Sequence, residues 1–279
     1  MKRSTRQELA RQTVDIVGRG SYTSAAGRAV DIADAVRVCL DATRFFPPEE
    51  VDRVCQDVLA RPTGGFVTSF EVVNETTLAG IARVLSDGRG PVAALNFASA
   101  KNPGGGFLNG SQAQEESLAR SSALHASVLR AGEFYQQHRA SPSLLYSDAM
   151  ILSPGCPVIR DDAGALLDEP RLATFLTSAA PNAGAAAASR PAEVPLIPDV
   201  FRRRSEYVLA LAAAGGYPRL VLGAWGCGVF RNDPRVVAAA FTDHLRRGTW
   251  AGRFERVVFS VLDTSPARET FAAFQAALG

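Results

Sequence analysis

The chain reads as an α/β protein: a mixed, mostly parallel β-sheet between layers of helices, with an N-terminal accessory layer in front. Three observations predict this. Strand-like runs at 66–73, 92–97, 220–224 and 256–262 alternate with helix-length segments, the pattern of strands joined by crossover helices. Val92-Ala93-Ala94-Leu95-Asn96-Phe97 is almost wholly apolar, as in strands buried on both faces. Two glycine-rich stretches, at 104–106 and 226–228, each follow a strand and precede a helix.

Length and composition agree. At 279 residues the chain fits one large domain, or one domain with a modest accessory piece. The division expected is a layer over 1–65 and a core over 66–279. A formal charge of +2 argues against a broad electrostatic surface for DNA or membranes, while leaving room for a local basic cleft. No apolar run is long enough to span a bilayer, and the start Met1-Lys2-Arg3-Ser4-Thr5-Arg6 turns polar and helical rather than into a signal-peptide core. Cys39, Cys55, Cys156 and Cys227 are far apart, as are His125, His138 and His244. That spacing disfavours zinc and a disulfide framework, and it points to a reducing, cytoplasmic setting with the cysteines as small buried hydrophobes.

In chain order, 5–17 is helical, with Thr5 and Glu8 at capping-box spacing, and Gly18 and Gly20 stop it. Short strands are expected around 21–32 and 36–40, then a helix from Pro47 to about Ala60. After the strand at 66–73 come a helix at 76–86, the strand 92–97, the glycine triplet and a helix from about Gln112 to Gly132. Further strands are expected at 149–153 and 173–179, with helices near 199–214, 234–247 and 266–278. Residues 182–198, rich in Ala and Pro and without periodicity, read as a loop or flap.

Chemistry concentrates after 92–97. Gly104-Gly105-Gly106 lets backbone approach a ligand closely and aim N–H groups at an anion, helped by the positive end of the following helix. A tight strand-to-helix turn needs the same residues, and neither a Walker A lysine nor GxGxxG spacing is present. Seven residues later, Gln114-Glu115-Glu116 puts two carboxylates in the first turn. Acidic residues there also simply complement the helix dipole. Adjacent helical positions point about 100° apart, so one carboxylate can face a pocket while its neighbour reaches elsewhere. The helical pattern does not choose between them. The dipole lowers a carboxyl pKa whereas a general acid needs it raised, so the catalytic Glu is expected to take up its proton mainly beside a bound diphosphate.

The second loop, Gly226-Cys227-Gly228-Val229-Phe230, closes the strand at 220–224. Two such loops after parallel strands meet at the carboxyl edge of a sheet, where α/β folds bind ligands. Phe230 is either a plug for the core or a face on which a sugar or base rests.

The glycine triplet followed at this separation by Gln-Glu-Glu resembles the signature of poly(ADP-ribose) glycohydrolases. Asn96-Phe97-Ala98, the run from Leu176 to Asn182, and the 226–230 loop resemble the compact bacterial-type branch, over roughly 20–279. The resemblance implies a macrodomain-like three-layer α/β/α sandwich with ADP-ribose across its carboxyl edge. It implies an exo-acting hydrolase in which Glu116 protonates the departing 2′-oxygen and then activates water. On the same pattern Glu115 holds ribose hydroxyls, and Gly104, Gly105 and Gly106 position the distal ribose and diphosphate. Gly226, Cys227, Gly228 and Val229 clamp the diphosphate, with Phe230 on the distal ribose. Asn102 and Gln114 join the substrate-binding set, and Asp263-Thr264 borders the adenosine. No cofactor or metal is required. The partners implied are poly(ADP-ribose), ADP-ribose and ADP-ribosylated proteins, with no membrane and no sequence-specific nucleic-acid partner. The alternatives are an ADP-ribose reader and a hydrolase of single ADP-ribose units. Two extra negative charges beside a diphosphate disfavour the pure reader.

Overall fold

The computed structural model describes residues 1–278; Gly279, the last residue of the expected core, lies outside the described residues. The first helix, α1 (Arg3–Arg19), starts two residues before Thr5, with Lys2 as its N-cap and no side-chain cap, so the expected capping box does not form. A small hairpin follows, β1 (Ser21–Thr23) with β2 (Ala29–Asp31). Residues 36–40 lie in a helix, α2 (Ala33–Ala42), rather than in the expected strand. Val36 and Cys39 are buried three residues apart while Val38 is exposed, so the helical period outweighs the β-branched composition. Next come β3 (Arg44–Phe46), α3 (Pro48–Leu59), β4 (Ser69–Val73), α4 (Thr77–Leu85) and β5 (Val92–Phe97).

The long helix expected from 112 to 132 is broken into α5 (Gln114–Ser121), α6 (Leu124–Val128) and a 3₁₀ turn, and a further helix, α7 (Gly132–Ala140), follows. Ser122 is extended and bridges Val158, and Ala123 N–H donates to Pro157 O at 3.1 Å. A neighbouring strand thus captures the backbone in mid-helix. That strand is β6 (Met150–Arg160), which forms a long antiparallel hairpin with β7 (Leu166–Ser178); both run well past the expected 149–153 and 173–179.

Residues 182–198 are not an irregular flap. Asn182 Oδ1 caps α8 (Ala183–Ser189), whose alanine run is the best helix-forming composition, and a 3₁₀ turn over Pro191–Leu196 leads into α9 (Ile197–Ala214). The chain ends with β8 (Arg219–Leu222), α10 (Pro234–Thr242), β9 (Arg256–Ser260) and α11 (Glu269–Leu278).

The seven-stranded sheet has the order β3-β6-β7-β5-β8-β9-β4. The β3/β6 and β6/β7 pairs are antiparallel and the other four are parallel. β3, from the first sixty residues, is therefore an edge strand of the same sheet. Successive residues of the central strands serve opposite cores. Val92, Ala94, Val221 and Val258 pack with α1, α2 and α4–α7. Ala93, Leu95, Leu220 and Val257 pack with α3 and α9–α11. This is a sheet covered on both faces, the α/β/α sandwich that the apolar run at 92–97 predicts.

Candidate active site

The parallel strands β5, β7, β8, β9 and β4 end on one edge, and the segments leaving them line a cleft of about 1220 Å³. From β5 come Asn102, Gly105 and Gly106; from the start of α5, Gln114, Glu115 and Glu116; from β8, Gly226 through Phe230; from β9, Asp263 and Thr264. Of the residues read from the sequence as the site, all but Gly104 line this cleft. Gly104 is buried behind it, at φ +68, where an added Cβ would press on His125 and Phe107.

The two carboxylates diverge as neighbours on a helix must. Glu115 points inward and is 3% exposed. Its Oε2 accepts from Ser99 N–H at 2.7 Å and its Oε1 from Asn96 Nδ2 at 3.3 Å. Burial pushes its carboxyl up to about 8; the Ser99 and Asn96 donors oppose the rise, and the negative charge of Glu116 adds to it. Glu116 is half-buried at the cleft wall, and its Oε1 accepts from Gly106 N–H at 3.0 Å.

Gln114 faces the sheet edge. Its Oε1 accepts from Phe97 N–H at 2.9 Å, and its Nε2 donates to Leu95 O at 2.7 Å and Thr77 Oγ1 at 3.1 Å. It ties α5 to the end of β5 and so fixes where the two following carboxylates begin.

One residue of the glycine triplet holds a carboxylate directly. Gly106 N–H goes to Glu116 and Gly105 N–H to Asn102 O. Gly105 has φ +60, and a Cβ there would run into Glu116 and crowd Glu115. Asn102 itself is exposed, with its backbone N–H on Ser99 Oγ at 3.2 Å.

Across the cleft, Gly226 has φ +73, and a Cβ on it would meet Ala180 and Asn232. Asn232 closes the loop, its Nδ2 donating to Gly226 O at 2.9 Å and to Pro181 O at 2.8 Å. Below it Trp225 is fully buried and donates from Nε1 to Ser178 O at 3.2 Å. The N–H groups of Gly228, Val229 and Phe230 have no hydrogen-bond partner among the described residues. Three consecutive free donors at a cleft mouth suit an anion. Val229 is 77% exposed, and Phe230 is half-buried, packed on the core below and open to the cleft above. Burial, with Asp233, pushes the Cys227 thiol up to about 12, so it holds its proton at neutral pH. Among the described residues, no group of three or more His, Cys, Asp or Glu side chains is arranged to hold a metal ion.

Sequence reasoning missed Asn96, Ser99, Trp225 and Asn232 as supports of the site. Asn96 alone carried a signal: a polar residue in the buried run 92–97, fully buried and bonded to Glu115 and Thr177. The others announce themselves only through the loop geometry.

Comparison with known proteins agrees with this geometry. The family model described as microbial-type PARG, catalytic domain, matches residues 10–161. The crystal structure of poly(ADP-ribose) glycohydrolase from Thermomonospora curvata is 48% identical, with a TM-score of 0.94 over 98% of this chain and 99% of that one. The T. curvata protein bound to the inhibitor ADP-HPD is 47% identical, with a TM-score of 0.91 over 98% and 99%. Poly(ADP-ribose) glycohydrolase from Deinococcus radiodurans in complex with ADP-ribose is 47% identical, with a TM-score of 0.84 over 89% of this chain and 98% of that one. Comparison with curated proteins gave no match. With more than half its length under the family model and near-complete coverage at 48% identity, the chain belongs to the microbial-type poly(ADP-ribose) glycohydrolase family.

Proposed function

We propose that the chain hydrolyses the ribose–ribose O-glycosidic bonds of poly(ADP-ribose) from the chain end, releasing ADP-ribose, with Glu116 as acid and base. The observation that carries this reading is the pair of adjacent carboxylates in two environments. Glu116 is held at the cleft wall by the Gly106 amide, and Glu115 is buried behind it. Glu116 donates its proton to the 2′-oxygen of the neighbouring adenosine ribose as the bond from that oxygen to the distal C1″ breaks, its electron pair leaving with the oxygen. The oxocarbenium-like centre at C1″ is captured by water, whose proton returns to the Glu116 carboxylate. A Glu115 that is mostly neutral at pH 7 can sit against ribose hydroxyls without repelling the diphosphate, so of the two charges that disfavour a pure reader only that of Glu116 remains. The free amides of 228–230 suit that diphosphate, and Phe230 suits the face of the distal ribose.

Preference for the chain end is supported by α1. Arg3 Nε donates to Asn109 O at 2.9 Å and Arg6 Nε to Gly110 O at 2.7 Å, and Met1, Arg6 and Leu9 line the cleft. The helix thus walls the cleft beside the loop that follows the glycine triplet. ADP-ribosylated proteins are the natural carriers of such a polymer. A cytoplasmic setting belongs to the same proposal; four free cysteines support it, and no helix among the described residues is long and apolar enough to cross a membrane.

The test is incubation with defined poly(ADP-ribose), wild type beside Glu116→Gln, following free ADP-ribose. Release by the wild type alone is the expected result. Absence of release with ADP-ribose still bound by calorimetry would move the assignment to a reader or a single-unit hydrolase.

A further inference from the structure

Phe230 is held by a segment that no glycine motif marks. Tyr146 lies between α7 and β6 with φ +59, a left-handed conformation in which a bulky aromatic side chain is uncommon. The surroundings impose it. Ser147 N–H donates to His138 Nε2 at 3.1 Å, while His138 Nδ1–H donates to Phe134 O at 2.7 Å. Gln137 Nε2 donates to Ser147 Oγ at 2.5 Å, and Arg204 donates to Leu145 O at 3.1 Å. Strain of this kind persists only where neighbouring contacts over-determine it.

The turn delivers the Tyr146 ring to Phe230, with centroids 6.2 Å apart and planes at 44°, while the other side of the phenol meets His138 edge-on at 5.7 Å. That separation is within the range of a favourable aromatic pair. The same network grips the Phe230 backbone. Asn182 N–H donates to Leu144 O at 2.9 Å, two residues before Tyr146, its Oδ1 caps α8, and Gly184 N–H at the start of α8 donates to Phe230 O at 3.0 Å. Arg231, also left-handed at φ +57, lies over Gly184. Tyr146 does not line the cleft.

We propose that Tyr146 is a positioning residue: its ring, fixed by the left-handed turn at 146–147, sets the orientation in which Phe230 faces the distal ribose. The proposal rests on the reading of Phe230 as a substrate-facing residue. It also gives the 182–198 segment a task, as the brace behind the clamp loop.

Tyr146→Asn separates ring from backbone, because asparagine tolerates the left-handed region; Tyr146→Gly is a second ring-less variant free of left-handed strain. With poly(ADP-ribose) as substrate, both should lower kcat/KM about 10-fold, as a misplaced positioning group does, with a melting temperature near that of the wild type. Tyr146→Phe, which keeps the ring, should recover most of the loss. In a Phe230→Ala background, Tyr146→Asn should cost nothing further. Wild-type kinetics in both ring-less variants, or losses that multiply independently with Phe230→Ala, would overturn the proposal alone. Full activity in Phe230→Ala would overturn the reading of Phe230, and the proposal with it.

Discussion

Glu116 Oε1 accepts the amide hydrogen of Gly106 at 3.0 Å, so the acid–base candidate is held by the backbone of the glycine loop. Gly105, one residue earlier, is in the left-handed region, and any side chain on it would collide with the same carboxylate. The loop is shaped as much by the enzyme's own carboxylates as by a ligand.

Gly105→Ala should therefore lower kcat by about 100-fold, because the methyl group displaces the Glu116 carboxyl from its reactive position. The positive φ adds a stability cost of about 1–2 kcal/mol. Gly106→Ala is the contrast. Its methyl would meet the hydroxyl of exposed Ser111, which can rotate away, and Ser111 Cβ at 3.0 Å, which asks a shift of a few tenths of an ångström from a surface residue, so its loss should stay under about 10-fold. Kinetics and thermal melts of the two variants check the pair, and equal effects would contradict the account of the loop.

The buried carboxyl of Glu115 makes stability depend on pH with a definite sign. Its folded value of about 8 lies above the ordinary 4.5, so between these values the folded protein binds the proton that the unfolded chain has released. Its contribution is fully present below pH 4.5 and is lost as pH rises toward 8. Compared with Glu115→Gln, the wild type should lose about 3–4 kcal/mol between pH 5 and 8. Denaturant melts of both proteins across that range measure it; parallel curves would mean that Glu115 is ionised throughout.

Phe230→Ala should impair turnover more than folding. The side chain is half-buried on a loop whose fold is secured by Asn232 and by the indole of Trp225. A drop of about 10-fold in kcat/KM with a stability loss near 1 kcal/mol is expected, since the ring covers only part of the core. Loss of activity that merely follows unfolding would make the ring a plug.

Arg3 and Arg6 anchor α1 to the carbonyls of Asn109 and Gly110. Replacing both with alanine should cost about 1–2 kcal/mol and loosen the wall beside the catalytic loop. Gel analysis of partly digested poly(ADP-ribose) should then show internal fragments that the wild type does not produce. Unchanged product patterns with α1 displaced would place the end preference elsewhere.

The alternation of strands and helices was legible because burial on both faces leaves an unbroken apolar run, as at 92–97, and the cleft residues were legible because glycines mark close backbone approach. The errors have physical causes. At 36–40 two valines suggested a strand, but what decides is which side chains are buried, and Val36 and Cys39 follow a helical spacing. The break at Ser122 is imposed by a strand more than thirty residues away, which no local pattern reveals. Residues 182–198 lack periodicity because α8 is short and alanine-rich, with only Ala186 buried along it. Nor did the adjacent pair Glu115-Glu116 disclose which carboxylate turns inward. That depends on Asn96 and Ser99 arriving from β5 and the segment after it.

Trp225, seated under the clamp loop with its indole N–H on Ser178 O, has an optical consequence. The chain has two tryptophans, Trp225 and Trp250, and both are fully buried. A Trp250→Phe protein would carry a single emitter directly before Gly226, coupled by a hydrogen bond to the end of β7. Its emission colour and quenching would report occupancy of the cleft beside the 226–230 loop in real time, without a dye.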